Sequence, residues 1–457
     1  MIINETSITS TLEKYAKEDP QHIRAILTKA LSLQGLDYDE VAALAAIQDA
    51  NLMQELFYTA QQIKDTIYGK RLVIFAPLYI SNLCSNDCTY CSFRKTNQTL
   101  HRRALTQDEI ANETMNLINQ GHKRVLLEAG EVHTKYNLPY ILESIRTIYS
   151  VNNQHGKIRR LNVNIAPLTI DGFRKLKAEN IGTYQLFQET YDRKIYHQVH
   201  LSGKKADYDW HITAMDRAME AGIDDVGIGV LFGLADWRFE LLALMQHTKH
   251  LDKNYGVGPH TISVPRLEPA IGSELSSNPP NAVSDKDFAK IIAILRLAVP
   301  YTGIILSTRE TPEIRRTALA LGVSQISAGS RTNPGGYSEH KKNASQFSLG
   351  DHRSLDEVIA DVASIGYIPS FCTACYRLGR TGHEFMNLAK PGKIKDMCAP
   401  NALVTFEEYL LDYASKETKV IGKKLIEQEI SAMSSQQQRL TKTLLEKINQ
   451  DDRDVFI

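Results

Sequence analysis

The sequence predicts an α/β fold: a (β/α)8 TIM-type barrel over residues 71–340, preceded by a helical extension (1–70) and followed by a mostly helical C-terminal domain (341–457). Three observations carry this. Eight short β-rich runs alternate with amphipathic helical stretches over about 270 residues, the size of such a barrel. Several runs are continuously apolar, as parallel strands buried on both faces are. No Gly-x-Gly-x-x-Gly follows the first run, so the structural alternative, an open doubly wound sheet, lacks its dinucleotide signature.

In the extension, IRAILTKALSL (23–33) and VAALAAIQDANLMQELFYTAQQI (41–63) place apolar residues three and four apart, the helical period. Asp37 and Asp39 sit just before the second segment, where a carboxylate can accept orphan helix N–H groups. The strands are RLVIFAPLY (71–79), KRVLLEA (123–129), LNVNIA (161–166), TYQLFQ (183–188), DVGIGVL (225–231), HTISVP (260–265), GIILST (303–308) and SQISAG (324–329). Helices fill the connections, among them DYDWHITAMDRAMEAG (207–222) and TPEIRRTALALG (311–322), where Thr311 is an N-cap and Pro312 takes the first helical position. Past 340 the pattern changes: 341–400 reads as loop-rich, and 403 to 449 as two long polar helices with a break near Gly422.

A chain of 457 residues can bury a large core. Lys plus Arg and Asp plus Glu both count 53, so a net charge of zero gives no electrostatic reason to expect nucleic acid or an anionic membrane surface as partner. The N-terminal MIINETSITSTLEKYAKEDP is polar with both charge signs, unlike a signal peptide, and no apolar run reaches a membrane span. The expectation is a cytoplasmic protein with reduced cysteines.

Its six cysteines fall into two groups, Cys84, Cys88, Cys91 and Cys372, Cys375, Cys398. Odd-numbered groups cannot be satisfied internally by disulfides, and reduced cysteines in tight groups bind metal or do redox chemistry. Cys84-x3-Cys88-x2-Cys91 follows the first strand, on the face where barrels carry their chemistry. Three thiolates hold three irons of a 4Fe–4S cube and leave the fourth open, whereas an electron-transfer cluster normally takes four. A zinc knuckle completed by a distant histidine and plain structural cysteines are the alternatives. The second group is again three, with a zinc ribbon completed by His383 as its alternative.

CSNDCTYCSF (84–93) resembles the cluster loop of the radical S-adenosylmethionine superfamily, whose open iron is chelated by the methionine moiety of the cofactor. Tyr90 supplies the aromatic beside the last cysteine. Ala129-Gly130-Glu131 resembles the motif contacting the methionyl amino group, with alanine where many members have a second glycine. Glu189 and Tyr191, in YQLFQETY, resemble residues lining the cofactor pocket. The spacing of the second triplet is similar to that of the HydG family, tyrosine lyases that mature iron–iron hydrogenase, and the resemblance runs from about residue 70 to 400. Biotin synthase and the thiamine-pathway lyase share the barrel plan but are not expected to carry this triplet.

The resemblance implies two iron–sulfur clusters, a 4Fe–4S cluster at the first triplet and an auxiliary cluster with an additional iron at the second, together with S-adenosyl-L-methionine. His260, in GPHTISVPRLEPA, resembles the histidine that ligates the additional iron. The implied reaction cleaves the Cα–Cβ bond of L-tyrosine to p-cresol and dehydroglycine, followed by carbon monoxide and cyanide formation on iron. The implied partners are other maturation proteins, including a scaffold GTPase. Ser307 and Arg309 end the seventh strand and Ser330 and Arg331 follow the eighth, putting hydroxyls and guanidiniums at the barrel mouth. A planar guanidinium fork suits a carboxylate, and Arg309 is the favoured anchor, unless either arginine pairs with an acid such as Glu310 or Glu313. A lyase of another aromatic amino acid, a thiamine-pathway 2-iminoacetate synthase and a zinc-stabilised binding protein remain as alternatives.

Overall fold

A computed structural model describes residues 2–339, 345–389 and 393–457, and the domain boundary expected at 340–341 falls outside them. Each of the eight predicted runs is a strand. The N-terminal helices come first: α1 (Glu5–Lys14), α2 (Pro20–Ala30), α3 (Tyr38–Ala45) and α4 (Ala50–Ile67). Asp37 caps α3 in a capping box with Glu40, and Asp39 lies in the first turn. The single helix expected over 41–63 is broken, because the Asp49 carboxylate accepts the N–H groups of Asn51 and Leu52 and starts α4 afresh.

The barrel strands are β1 (Arg71–Ser81), β2 (Arg124–Ala129), β5 (Arg160–Asn164), β6 (Tyr184–Glu189), β7 (Val226–Val230), β8 (Thr261–Ser263), β9 (Gly303–Leu306) and β10 (Gln325–Ser327). Between β2 and β5 a small antiparallel hairpin forms from β3 (Asn152–Asn153) and β4 (Gly156–Lys157). All barrel pairings are parallel, and β10 returns to β1 in the register Val73↔Gln325 and Phe75↔Ser327, which closes the sheet. Ile74, Ala76, Leu78 and Ile80 join the main core under the helices, while Phe75, Leu126 and Ile305 form a separate apolar collar inside the barrel.

Helices α5 (Gln107–Asn119), α6 (Leu138–Ser150), α7 (Ile170–Ala178), α8 (Arg193–Val199), α9 (Tyr208–Ile212), α10 (Ala214–Glu220), α11 (Trp237–Tyr255), α12 (Glu274–Ser277), α13 (Asp285–Ala298), α14 (Pro312–Leu321) and α15 (Leu355–Ser364) surround the sheet. The helix expected over 207–222 is two, interrupted at Thr213. Thr311 does precede α14, with Pro312 in its first turn, yet its side chain makes no capping hydrogen bond.

β11 (Ile368–Ser370) adds a ninth strand, pairing with Arg71–Val73 of β1. Val73 already bonds β10 on one edge, so β11 takes the other, directly below β2. Beyond it lie α16 (Ala374–Arg377), α17 (Gly382–Ala389), α18 (Lys393–Asp412), α19 (Lys416–Ala432) and α20 (Ser435–Asn449), so much of the stretch expected to be loop-rich is helical. The expected break at Gly422 is absent. A Cβ there would stand 2.6 Å from the Leu410 side chain, so the glycine lets α19 pack closely on α18. The real breaks are at 413–415 and 433–434, and α18 is not polar but buried along Leu403, Phe406 and Leu410. Among the described residues no helix is long and apolar enough to cross a membrane.

Candidate active site

At the C-terminal ends of the strands, called upper here, a cavity of about 220 Å³ is lined by Cys84, Cys88, Cys91, Tyr90, Gly130, Glu131, Glu189, Ser307, Arg309 and Ser330. These predicted residues therefore converge from five different strand ends. The loop after β1 is held by backbone bonds to the segment following α8: Thr89 N–H to Val199 O (2.8 Å), Asp87 N–H to Ser202 O (2.9 Å) and Leu201 N–H to Asp87 O (3.0 Å). Gly130 is the residue that lets this loop approach. A Cβ there would lie 2.2 Å from the Leu83 carbonyl oxygen.

Burial pushes the Cys88 thiol up and the Cys91 thiol to about 11, so both are neutral until a metal displaces their protons. All three thiols line this one cavity, as the three protein ligands of a 4Fe–4S cube would.

Tyr90 donates its hydroxyl to His200 Nε2 (2.8 Å), since Nδ1 of that ring must donate to Tyr196 O (2.8 Å), and burial keeps the imidazole neutral. Glu131 accepts from Asn86 Nδ2 (2.6 Å), and Asn86 Oδ1 accepts from Lys205 N–H (3.1 Å). Lys205 Nζ in turn binds Glu189 Oε1 at 2.6 Å. Glu189 holds φ +69° at an irregularity in the β6–β7 register, a left-handed backbone that is strained for a side-chain-bearing residue and is found preferentially at functional sites.

Arg309 is half-buried and lies over the Phe347 ring, 3.3 Å from its centroid, and among the described residues it has no ion-pair partner. The two acids the sequence offered as partners are engaged elsewhere. Glu310 pairs with Arg266, and Glu313 stands in the first turn of α14, held low by hydrogen bonds from its own backbone N–H and Thr311. Ser330 Oγ is buried without a hydrogen-bond partner and is available to a ligand.

Two expected residues are not in the cavity. Tyr191 is fully buried behind the wall, with its hydroxyl 2.8 Å from His247 Nδ1 and its N–H donating to Glu240, because the chain has already turned from β6 toward α8. Arg331 follows a turn at Gly329 (φ +59°) that leaves Ser330 facing inward, and its guanidinium folds back onto Ser330 O. Sequence reasoning missed Asn86, Lys205 and Glu128. The first two reach the site from separate segments and carry no local signal. Glu128 carried one: a carboxylate at an inward position of an apolar strand.

At the opposite, lower end a cavity of about 50 Å³ collects Cys372, Cys375, Cys398 and His260 with Arg71 and Arg124. β2 blocks upward continuation of β11, and Arg124 Nη1 binds Cys372 O (2.9 Å) where the chain turns beneath the barrel. A hydrogen bond from Cys375 holds the Cys398 thiol below its ordinary range, helped by Arg71 and Arg380. His260 Nε2 lies 3.0 Å from the Tyr376 hydroxyl, and burial lowers the pKa of the ring. His383, the ligand a zinc ribbon would need, is exposed and bonded to Tyr255 O, away from the cavity.

Residues 78–244 match the family described as the Radical SAM superfamily, and 263–368 the Biotin and Thiamin Synthesis associated domain. The chain is 32% identical to 2-iminoacetate synthase of Salmonella typhimurium over 76% of its own length and 89% of that protein. A crystal structure of HydG, a maturase of the FeFe-hydrogenase, is 48% identical with a TM-score of 0.97 and 100% of both chains covered. HydG of Carboxydothermus hydrogenoformans is 42% identical with a TM-score of 0.85, over 96% of this chain and 98% of that one. With three cysteines at the mouth of a closed parallel barrel and relatives of this identity and extent, the chain belongs to the radical S-adenosylmethionine superfamily as a HydG-like enzyme, and that family's cofactors are a 4Fe–4S cluster and S-adenosylmethionine.

Proposed function

We propose that this enzyme is a tyrosine lyase that cleaves L-tyrosine to p-cresol and dehydroglycine in the upper cavity and passes dehydroglycine to the lower one, where carbon monoxide and cyanide form on iron for the iron–iron hydrogenase cluster. The observation that carries this reading is two sets of three thiols at opposite ends of one barrel, the lower set lying beyond both matched family segments. When bound, the upper cluster with S-adenosylmethionine supplies a 5′-deoxyadenosyl radical, and the auxiliary cluster supplies the iron that receives the small products.

The chain's own groups bind and orient. Arg309 offers a two-pronged anchor to the tyrosine carboxylate, with Ser307 and Ser330 hydroxyls beside it. Glu131, fixed by Asn86, would contact the methionyl amino group, and Glu189, fixed by Lys205, would line the rest of the cofactor pocket. Below, His260 stands ready to complete the donor set of three thiols. Other maturation proteins, including a scaffold GTPase, would take the product.

Anaerobic reconstitution with iron, sulfide, S-adenosylmethionine, dithionite and tyrosine is expected to yield 5′-deoxyadenosine and p-cresol, and absence of both would sink the proposal. Replacing Cys372 and Cys375 with alanine is expected to spare p-cresol and abolish iron-bound carbonyl and cyanide. The identity to 2-iminoacetate synthases favours a second reading, in which the upper site works alone. Wild-type protein that releases dehydroglycine but never forms cyanide would establish it.

A further inference from the structure

One carboxylate of the upper cavity has no part in this scheme. Glu128 stands near the end of β2, two residues above Leu126 of the apolar collar, and lines the same cavity as Arg309 and Ser307. Asn164, at the end of β5, hydrogen-bonds to it; Arg309 and Glu189 are the charged groups acting on it, and the Tyr79 phenol of β1 faces it. Among the described residues no cation forms an ion pair with it. Burial pushes its carboxyl up to about 8, so it rests neutral at neutral pH and can exchange a proton there.

An amino acid reaches this cavity as a zwitterion. Hydrogen-atom abstraction from its nitrogen starts from the neutral amine, because an ammonium has no lone pair to stabilise the nitrogen radical. A proton must therefore leave the substrate nitrogen within the cavity. We propose that Glu128 receives the substrate ammonium and accepts its proton, so that the amino acid is held between Arg309 at the carboxylate and Glu128 at the nitrogen. One N–H bond breaks with its electron pair remaining on nitrogen, one O–H bond forms on the carboxyl group, and no electron is transferred. Because the carboxylate form receives the ammonium, the proton that Glu128 carries at rest goes to solvent as the substrate binds. This role rests on the tyrosine-lyase reading and deepens it.

The test uses the reconstituted holoenzyme and follows p-cresol formation against pH, with calorimetry of tyrosine binding in two buffers of different ionisation enthalpy. For the wild type, kcat/KM is expected to rise with pH and level near 8, with about one proton released per tyrosine below that pH and none well above it. In Glu128→Gln, kcat is expected to fall by about 10²- to 10⁴-fold, with the rising limb and the proton release both lost. Glu128→Asp should keep the limb at a reduced rate. Asn164→Ala removes a bond that favours the charged carboxylate and should move the limb to higher pH, which tests the role even if the glutamine variant fails to fold. Wild-type protein that makes no p-cresol overturns the tyrosine reading. Wild-type protein that makes it, with limb and proton release unchanged in Glu128→Gln or the limb unmoved in Asn164→Ala, overturns the role of Glu128 alone.

Discussion

Arg309 keeps its fork for a ligand: Glu310, next to it in the chain, belongs to Arg266, and a ring stacks on one guanidinium face while the edge stays free. Lysine keeps the charge but loses the planar fork. Arg309→Lys is therefore expected to lower kcat/KM for tyrosine by roughly 2 kcal/mol, a factor of about 30, read from steady-state p-cresol formation. Arg309, three residues past β9, was legible in the sequence because a guanidinium on a barrel loop is costly to bury without a partner and has few places to point except the mouth. Tyr191 was misleading for the complementary reason. Two residues past the last strand position, alternation no longer holds, and the ring swings into the core beside His247. Lys205 and Asn86 were invisible, since their role comes from a backbone pairing between distant segments, and Gly203, where a Cβ would lie 2.2 Å from Asn86 Oδ1, fixes how close that pairing can be.

Among the elements, the eight strands were legible because parallel strands buried on both faces leave apolar runs that few other structures produce. Helix ends were not. Apolar spacing runs unbroken through Ala46–Asp49, and only the Asp49 carboxylate, bonded to the next turn, reveals a new start. β11 was missed because Ile368-Pro369-Ser370 is three residues long and holds a proline, which is tolerated there because the pairing is short and at an edge. The C-terminal helices depend on a buried ion pair as well as on apolar packing. Arg159 binds Glu408 of α18, both almost fully buried, and also Asp454, which grips Arg377 of the helix bearing Cys375. Glu408→Gln would leave Arg159 poorly compensated, and the expected cost is about 3–5 kcal/mol. Chemical denaturation should show the loss, and hydrogen exchange should show it concentrated in α16, α18 and α20.

For the whole molecule, one continuous apolar core runs from the N-terminal helices through the barrel to α19, with no cysteine in it. Iron is thus not needed to hold the barrel together. Chelation is expected to leave far-UV circular dichroism almost unchanged while lowering Tm, because clusters that bind only the folded protein stabilise it by mass action. Calorimetry under anaerobic conditions should show a smaller iron-dependent shift when Cys372 and Cys375 are replaced. The two cysteine triplets also share a ruler. β11 delivers the lower triplet beside Val73, and β1 carries the upper one just past Ser81, so eight residues of one strand, about 26 Å of it, set their separation. Because side chains alternate along a strand, removing one residue from β1 would turn its inward face out. The gap between the two triplets therefore changes cleanly only in two-residue steps of about 6.6 Å, and a one-residue step needs a bulge such as the one β1 already carries between Tyr79 and Ser81.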